Sequence, residues 1–183
     1  LRMNPSGTPP AGNPFFAAGA AIGGEVGGNI QLIYAYGIRN SFGMGFDPID
    51  GELWMTDNGE DAFDEINRVD SGMNGGWIQV MGPLSRLDEF RAIELTSTHG
   101  GDTPSPNLQQ LRWPPSNIQT SPQQALIQMP MLPGAQYVDP EFSWKYAVAP
   151  SPIGFVKGRG LGPQPPASPA YCWVNWPRAR NFW

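Results

Sequence analysis

Two short stretches of this sequence carry residue types that can do chemistry. The first is Arg39-Asn40. A planar guanidinium offers fixed donors to a carboxylate or a similar oxygen acceptor. By position alone the favoured reading is a surface arginine in a turn. The second is the acidic bend Asp57-Asn58-Gly59-Glu60-Asp61, with Asp64 and Glu65 just beyond it. A hard cation such as Ca2+ takes oxygen ligands, backbone carbonyls included. Gly59 lets the backbone turn sharply enough to aim carbonyls at one. The plain alternative is a solvated acidic turn. His99, the single histidine, sits in Thr98-His99-Gly100-Gly101 and reads as a surface-loop residue. Cys172 is the single cysteine, so neither an internal disulfide nor a Cys/His metal cluster can form. No Ser/His/Asp triad, phosphate-binding glycine loop or dinucleotide fingerprint is present.

The elements that must position these residues are short. The 183 residues include 23 Gly and 21 Pro, about twice the usual share. Both residues oppose long helices, and with 7 Trp and 9 Phe the chain is too aromatic to be disordered. The expectation is an all-β, loop-rich fold. Leu1 to Met3 reads as a short strand and residues 17–29 as a Gly/Ala loop. Strands are expected over Ile30 to Tyr36, Phe42 to Phe46, Glu52 to Thr56 and Glu65 to Val69. Asp47-Pro48-Ile49-Asp50-Gly51 turns the chain between the second and third. Four short antiparallel strands in about 40 residues is the size of one propeller blade. Residues 71–140 read as a long excursion with a helix near Leu84 to Leu95, and strands resume from Phe142 to Val156. Residues 165–183 fit no strand or helix period. In a shifted frame, Trp173 to Trp183 back-translates to a strand-like sequence, so the tail is expected to be a frameshift product. An uninterrupted frame in the source gene would defeat that expectation.

The motifs have a family pattern. Tyr36-Gly37-Ile38-Arg39-Asn40 with Gly43, Asp47-Pro48, Gly51-Glu52-Leu53-Trp54, Asp57-Asn58-Gly59, Asp64-Glu65-Ile66-Asn67 and Gly72-Met73-Asn74-Gly75-Gly76-Trp77 follow one another. In that order and spacing they resemble the signature blade of the glucose/sorbosone dehydrogenases. Leu1-Arg2-Met3-Asn4-Pro5 with Gly7, Asn13-Pro14-Phe15, and Trp144 with Ala149-Pro150-Ser151 add weaker support, the last resembling the start of the next blade. The resemblance covers residues 1–164 and stops at the atypical tail, 165–183.

It implies an incomplete six-bladed β-propeller of about two to three blades with long loops. It also implies pyrroloquinoline quinone (PQQ) and Ca2+ as cofactors, an aldose oxidised at its C1 hydroxyl to a lactone, an external electron acceptor, and a periplasmic or secreted location. On this resemblance Arg39, Asn40, Asn58 and Trp144 contact the cofactor and Asp64 is an active-site carboxylate. The Gly59 and Glu60 carbonyls hold the Ca2+ that touches the quinone, although many members carry Pro at the second position. Glu65 and the Gly75 carbonyl hold a second, structural Ca2+. Lys145-Tyr146-Ala147 departs from the family spacing. The catalytic base belongs to an earlier blade, upstream of Leu1, so the chain alone is expected to be inactive.

Composition narrows the partners. Net charge is −5 with only 11 Lys and Arg, and no basic run could track phosphates, so nucleic acid is not expected. No stretch of about 18 apolar residues exists to span a membrane. Two rival readings remain: a non-catalytic propeller module that binds a protein or glycan, and a Ca2+-dependent lactonase, against which Arg39-Asn40 argues.

Overall fold

A computed structural model describes residues 1–96, 115–156 and 171–174. The chain forms two compact units: Leu1–Ile38 with Asp70–Asp139, and Arg39–Val69 with Pro140–Trp183.

The second unit holds an antiparallel sheet of strands β1 (Gly43–Phe46), β2 (Leu53–Asp57), β3 (Ala62–Arg68) and β6 (Phe142–Tyr146), in that spatial order. The β1–β2 turn closes as its composition predicts. Asp47 accepts the Ile49 N–H at 2.8 Å, Asp50 accepts the Glu52 N–H at 2.9 Å, and Gly51 takes a φ of 78° that a side chain would resist. β2 meets β3 with Asp57 opposite Glu65, and β3 meets β6 with Asp64 opposite Trp144. A further strand, β7 (Ile153–Val156), packs against β1. The glycines of Gly43-Met44-Gly45-Phe46 allow this: a Cβ on Gly43 would lie 2.4 Å from the Ser151 carbonyl oxygen. β7 pairs with β8 (Tyr171–Val174).

The first unit is built differently. Helices α1 (Phe16–Ile22) and α2 (Gly24–Gln31) lie side by side. They meet at Gly19 and Gly27, where a Cβ on either would stand within 2.4 Å of the other's carbonyl oxygen. Gly23 and Gly24, at φ 70° and 60°, break the chain between them. Strands β4 (Met73–Asn74) and β5 (Gln136–Tyr137) pair in parallel, and Tyr36 bridges to Asn74. Helix α3 (Leu87–Thr96), entered through a 3-10 turn at Leu84–Arg86, buries Leu87, Phe90 and Glu94 on one face. Helix α4 (Pro122–Gln128) starts on a proline, whose fixed φ suits the first turn, and buries Ala125. Among the described residues, no helix is long and apolar enough to cross a membrane.

Several expectations change. Residues 17–29 are not a loop but most of α1 and α2, because the alanines favour helix and the glycines serve contact between helices. Ile30 to Tyr36 is not a strand: it ends α2 and runs on irregularly, and Leu1 to Met3 forms no strand either. The fourth strand of the sheet is β6, reached only after the long excursion, so Trp144 completes this sheet rather than opening the next. Among the described residues the all-β description fits the second unit, whereas α1 to α4 belong to the first. Within the tail, Tyr171–Val174 is a strand, against the expectation of none. The rest of the tail and His99 lie outside the described residues. The turn at 47–51, the helix near Leu84 to Leu95 and the strand positions around β1, β2 and β3 are as the sequence indicates.

Candidate functional site

Six of the nine candidate residues gather at one end of β2 and β3 in the second unit. Asp57, the last residue of β2 and 1 % exposed, organises them. Its two carboxylate oxygens accept the backbone N–H of Arg39 at 2.9 Å and of Asn40 at 2.6 Å. The Asn58 N–H returns to the Asn40 carbonyl at 3.2 Å. Arginine 39 is thereby held beside the bend. Burial pushes the Asp57 carboxyl above its usual range, against the pull of the Asn40, Arg39 and Asn58 N–H groups and the Arg39 charge.

From that position the Arg39 guanidinium reaches over the bend. One terminal nitrogen, Nη1, donates to the carbonyl oxygens of both Asn58 (2.9 Å) and Gly59 (3.0 Å). The other, Nη2, stands 3.9 Å from the Glu60 carboxylate, with both side chains largely buried. Asn40 is exposed beside it. The bend itself needs glycine, since a Cβ on Gly59 would fall 1.8 Å from the Ala62 carbonyl oxygen. Phe63, fully buried, adopts a φ of 61°, a strained conformation for a bulky residue, immediately before Asp64.

Asp64 is a buried clamp. Its Oδ1 accepts the Gly59 N–H at 2.8 Å, and its Oδ2 accepts the N–H groups of Val148 (2.5 Å) and Ala149 (2.6 Å). Three charge-assisted bonds tie the bend to the segment that follows β6. With its oxygens so engaged, Asp64 holds the backbone of the bend in place.

The remaining candidates are more scattered. Trp144 stands opposite Asp64 in the sheet, half-buried, with its ring edge-on to Phe142 at 4.8 Å. Glu65, one residue beyond Asp64, faces the other side of the sheet, where its buried carboxylate accepts from the Asn67 amide at 2.9 Å. Gly75 belongs to the first unit, where its N–H donates to the Tyr36 carbonyl at 2.9 Å.

Two contributors are not evident in the motifs. Asp57 was legible only as one acid of the bend, although its place at a strand end beside Asn-Gly is a signal of backbone capping. The N–H donors of Val148 and Ala149 carry no side-chain signal at all. Among the described residues, no group of three or more His, Cys, Asp or Glu side chains is placed to hold a metal. An ion at the bend would be held by carbonyl and amide oxygens. Those oxygens do suit a hard cation: the Asn58 and Gly59 carbonyls already converge on a positive charge, and the Asn58 Oδ1 is buried without a hydrogen-bond partner.

Comparison with known proteins matches residues 1–118 to the family model described as Glucose / Sorbosone dehydrogenase. The aldose sugar dehydrogenase YliI of Escherichia coli (strain K12) is 36% identical over 77 residues, which are 42% of this chain and 19% of that protein. The quinoprotein glucose dehydrogenase B of Acinetobacter calcoaceticus is 37% identical over 82 residues, 45% of this chain and 15% of that one. A crystal structure of a glucose dehydrogenase shares the fold at a TM-score of 0.51 and 21% identity, covering 87% of this chain and 34% of its own. The chain thus matches less than a fifth of the length of these two curated relatives. With a family model spanning well over half of its residues, including the whole Arg39–Asp64 assembly, the chain belongs to the glucose/sorbosone dehydrogenase family.

Proposed function

We propose that this chain is part of a PQQ- and Ca2+-dependent aldose dehydrogenase that oxidises the sugar C1 hydroxyl to a lactone and passes electrons to an external acceptor. The observation that carries the reading is the Arg39 guanidinium held by Asp57 against the Asn58–Gly59 carbonyls. Family membership supports a sugar as substrate. A relative named as a quinoprotein supports the quinone. Bound PQQ supplies the acceptor for hydride from the sugar, and Ca2+ supplies a charge that polarises the quinone.

The chain's own residues bind and orient. Arg39 offers its guanidinium donors to an anionic oxygen, and exposed Asn40 adds an amide. The Gly59 and Glu60 carbonyls, with the Asn58 side chain, give Ca2+ the oxygens it requires. Asp64 keeps the bend in place, and Trp144 provides an aromatic face on which a pyranose can stack. No residue here is assigned the base that takes the C1 proton, so the chain is expected to bind cofactor without turning over sugar. In this reading the β1-β2-β3-β6 sheet is one blade of a six-bladed propeller in a periplasmic or secreted protein.

Titrating the chain with PQQ in the presence and absence of CaCl2, followed by quinone absorbance, tests this. Saturable Ca2+-dependent binding, weakened at least about tenfold in Arg39→Ala, is the expected result. Lack of any saturable binding would favour a non-catalytic module instead.

A further inference from the structure

Arginine 39 does more at the bend than wait for an anion. Its Nη1 sits on the carbonyls of two successive residues, Asn58 and Gly59, while Glu60 flanks its Nη2. The Gly59 oxygen is one of the two carbonyls assigned to Ca2+ above, and a cation of the protein's own already holds it. Resting on the functional reading above, we infer that Arg39 is the resident counter-ion of the Gly59 carbonyl, from which Ca2+ must displace it in order to bind.

The geometry requires competition. A carbonyl oxygen has two lone pairs and could in principle serve both partners. A Ca2+ ion sits about 2.3–2.6 Å from its oxygens. With Nη1 at 3.0 Å from the Gly59 oxygen, the two positive charges would be separated by no more than about 5.6 Å. At that range, inside a largely buried loop, their repulsion is strong and poorly screened. The guanidinium therefore leaves when the metal arrives. Until then it neutralises the converging carbonyl dipoles and keeps the bend formed. Arg39 is a positioning residue for the loop and a brake on its metal affinity.

A merely structural role predicts the opposite sign, because removing a brace from a loop weakens whatever the loop binds. Calorimetric titration of the full chain with CaCl2 alone, without quinone, separates the two. Arg39→Gln should bind Ca2+ about tenfold more tightly than the wild type, and Arg39→Lys, which keeps the charge, should stay near it. Equal or weaker binding by Arg39→Gln overturns the inference. The wild-type chain gives a second readout that does not depend on the variants folding. In a 15N NMR spectrum the Arg39 side-chain Nη signals, protected by the two carbonyls, should lose that protection as Ca2+ is added. Calcium uptake with those signals unchanged also overturns the inference, yet leaves the functional reading standing. Failure of any form to take up Ca2+ removes both.

Discussion

Single acids do the closest work in this protein. Asp64 gathers three backbone N–H groups from two distant segments while fully buried. Each hydrogen bond to a charged group contributes about 1.5–3 kcal/mol, and leaving the donors buried without an acceptor costs as much again. Asp64→Ala is expected to destabilise the second unit by about 3–5 kcal/mol, since three buried N–H donors lose their shared acceptor. Urea unfolding followed by tryptophan fluorescence measures this. A loss under about 1 kcal/mol would mean that water replaces the carboxylate. The residues of the bend were legible in the sequence because Arg39-Asn40 and Asp57 to Glu60 are compact motifs. Their joining was not, because Asp57 and Asp64 act through backbone N–H groups that every residue carries.

At the scale of elements, glycine decides what packs. Gly59→Ala forces a Cβ to 1.8 Å from the Ala62 carbonyl, so the β2–β3 bend must open. The expected result is loss of Ca2+-dependent quinone binding with the far-UV circular dichroism spectrum retained. Gly19 and Gly27 bring α1 and α2 into backbone contact, and Gly19→Val should cost about 1–3 kcal/mol or more through overpacking. Thermal unfolding of the variant checks it. These helices escaped the sequence reading because glycine lowers helix propensity locally, whereas its benefit lies in a contact with another helix. β6 escaped as the fourth strand for a related reason, since nothing local to Phe142–Tyr146 names β3 as its partner. The turn at 47–51 was legible because its hydrogen bonds are all within the turn or between its flanks.

For the molecule as a whole, the edge of the sheet matters. Phe42, just before β1, and Met44 and Phe46 within it are 64%, 68% and 68% exposed, and among the described residues β1 is an outer strand of its sheet. An apolar row on an outer strand invites another chain to add to it. Met44→Lys should lower self-association without loss of fold, as seen by light scattering over a concentration series. Unchanged scattering would place the sticky surface elsewhere.

The long route from β3 to β6 has a cost during synthesis. Asp64 and the Val148 N–H it holds are 84 positions apart. At about 5–20 residues per second, a ribosome needs roughly 4 to 17 s to deliver the second after the first. For that interval the edge of β3 that β6 will cover presents bare hydrogen-bonding groups, and the bend hangs from a half-made clamp. The nascent chain is thus most in need of a chaperone in the seconds between emergence of its signature motif and arrival of the strand that shields it.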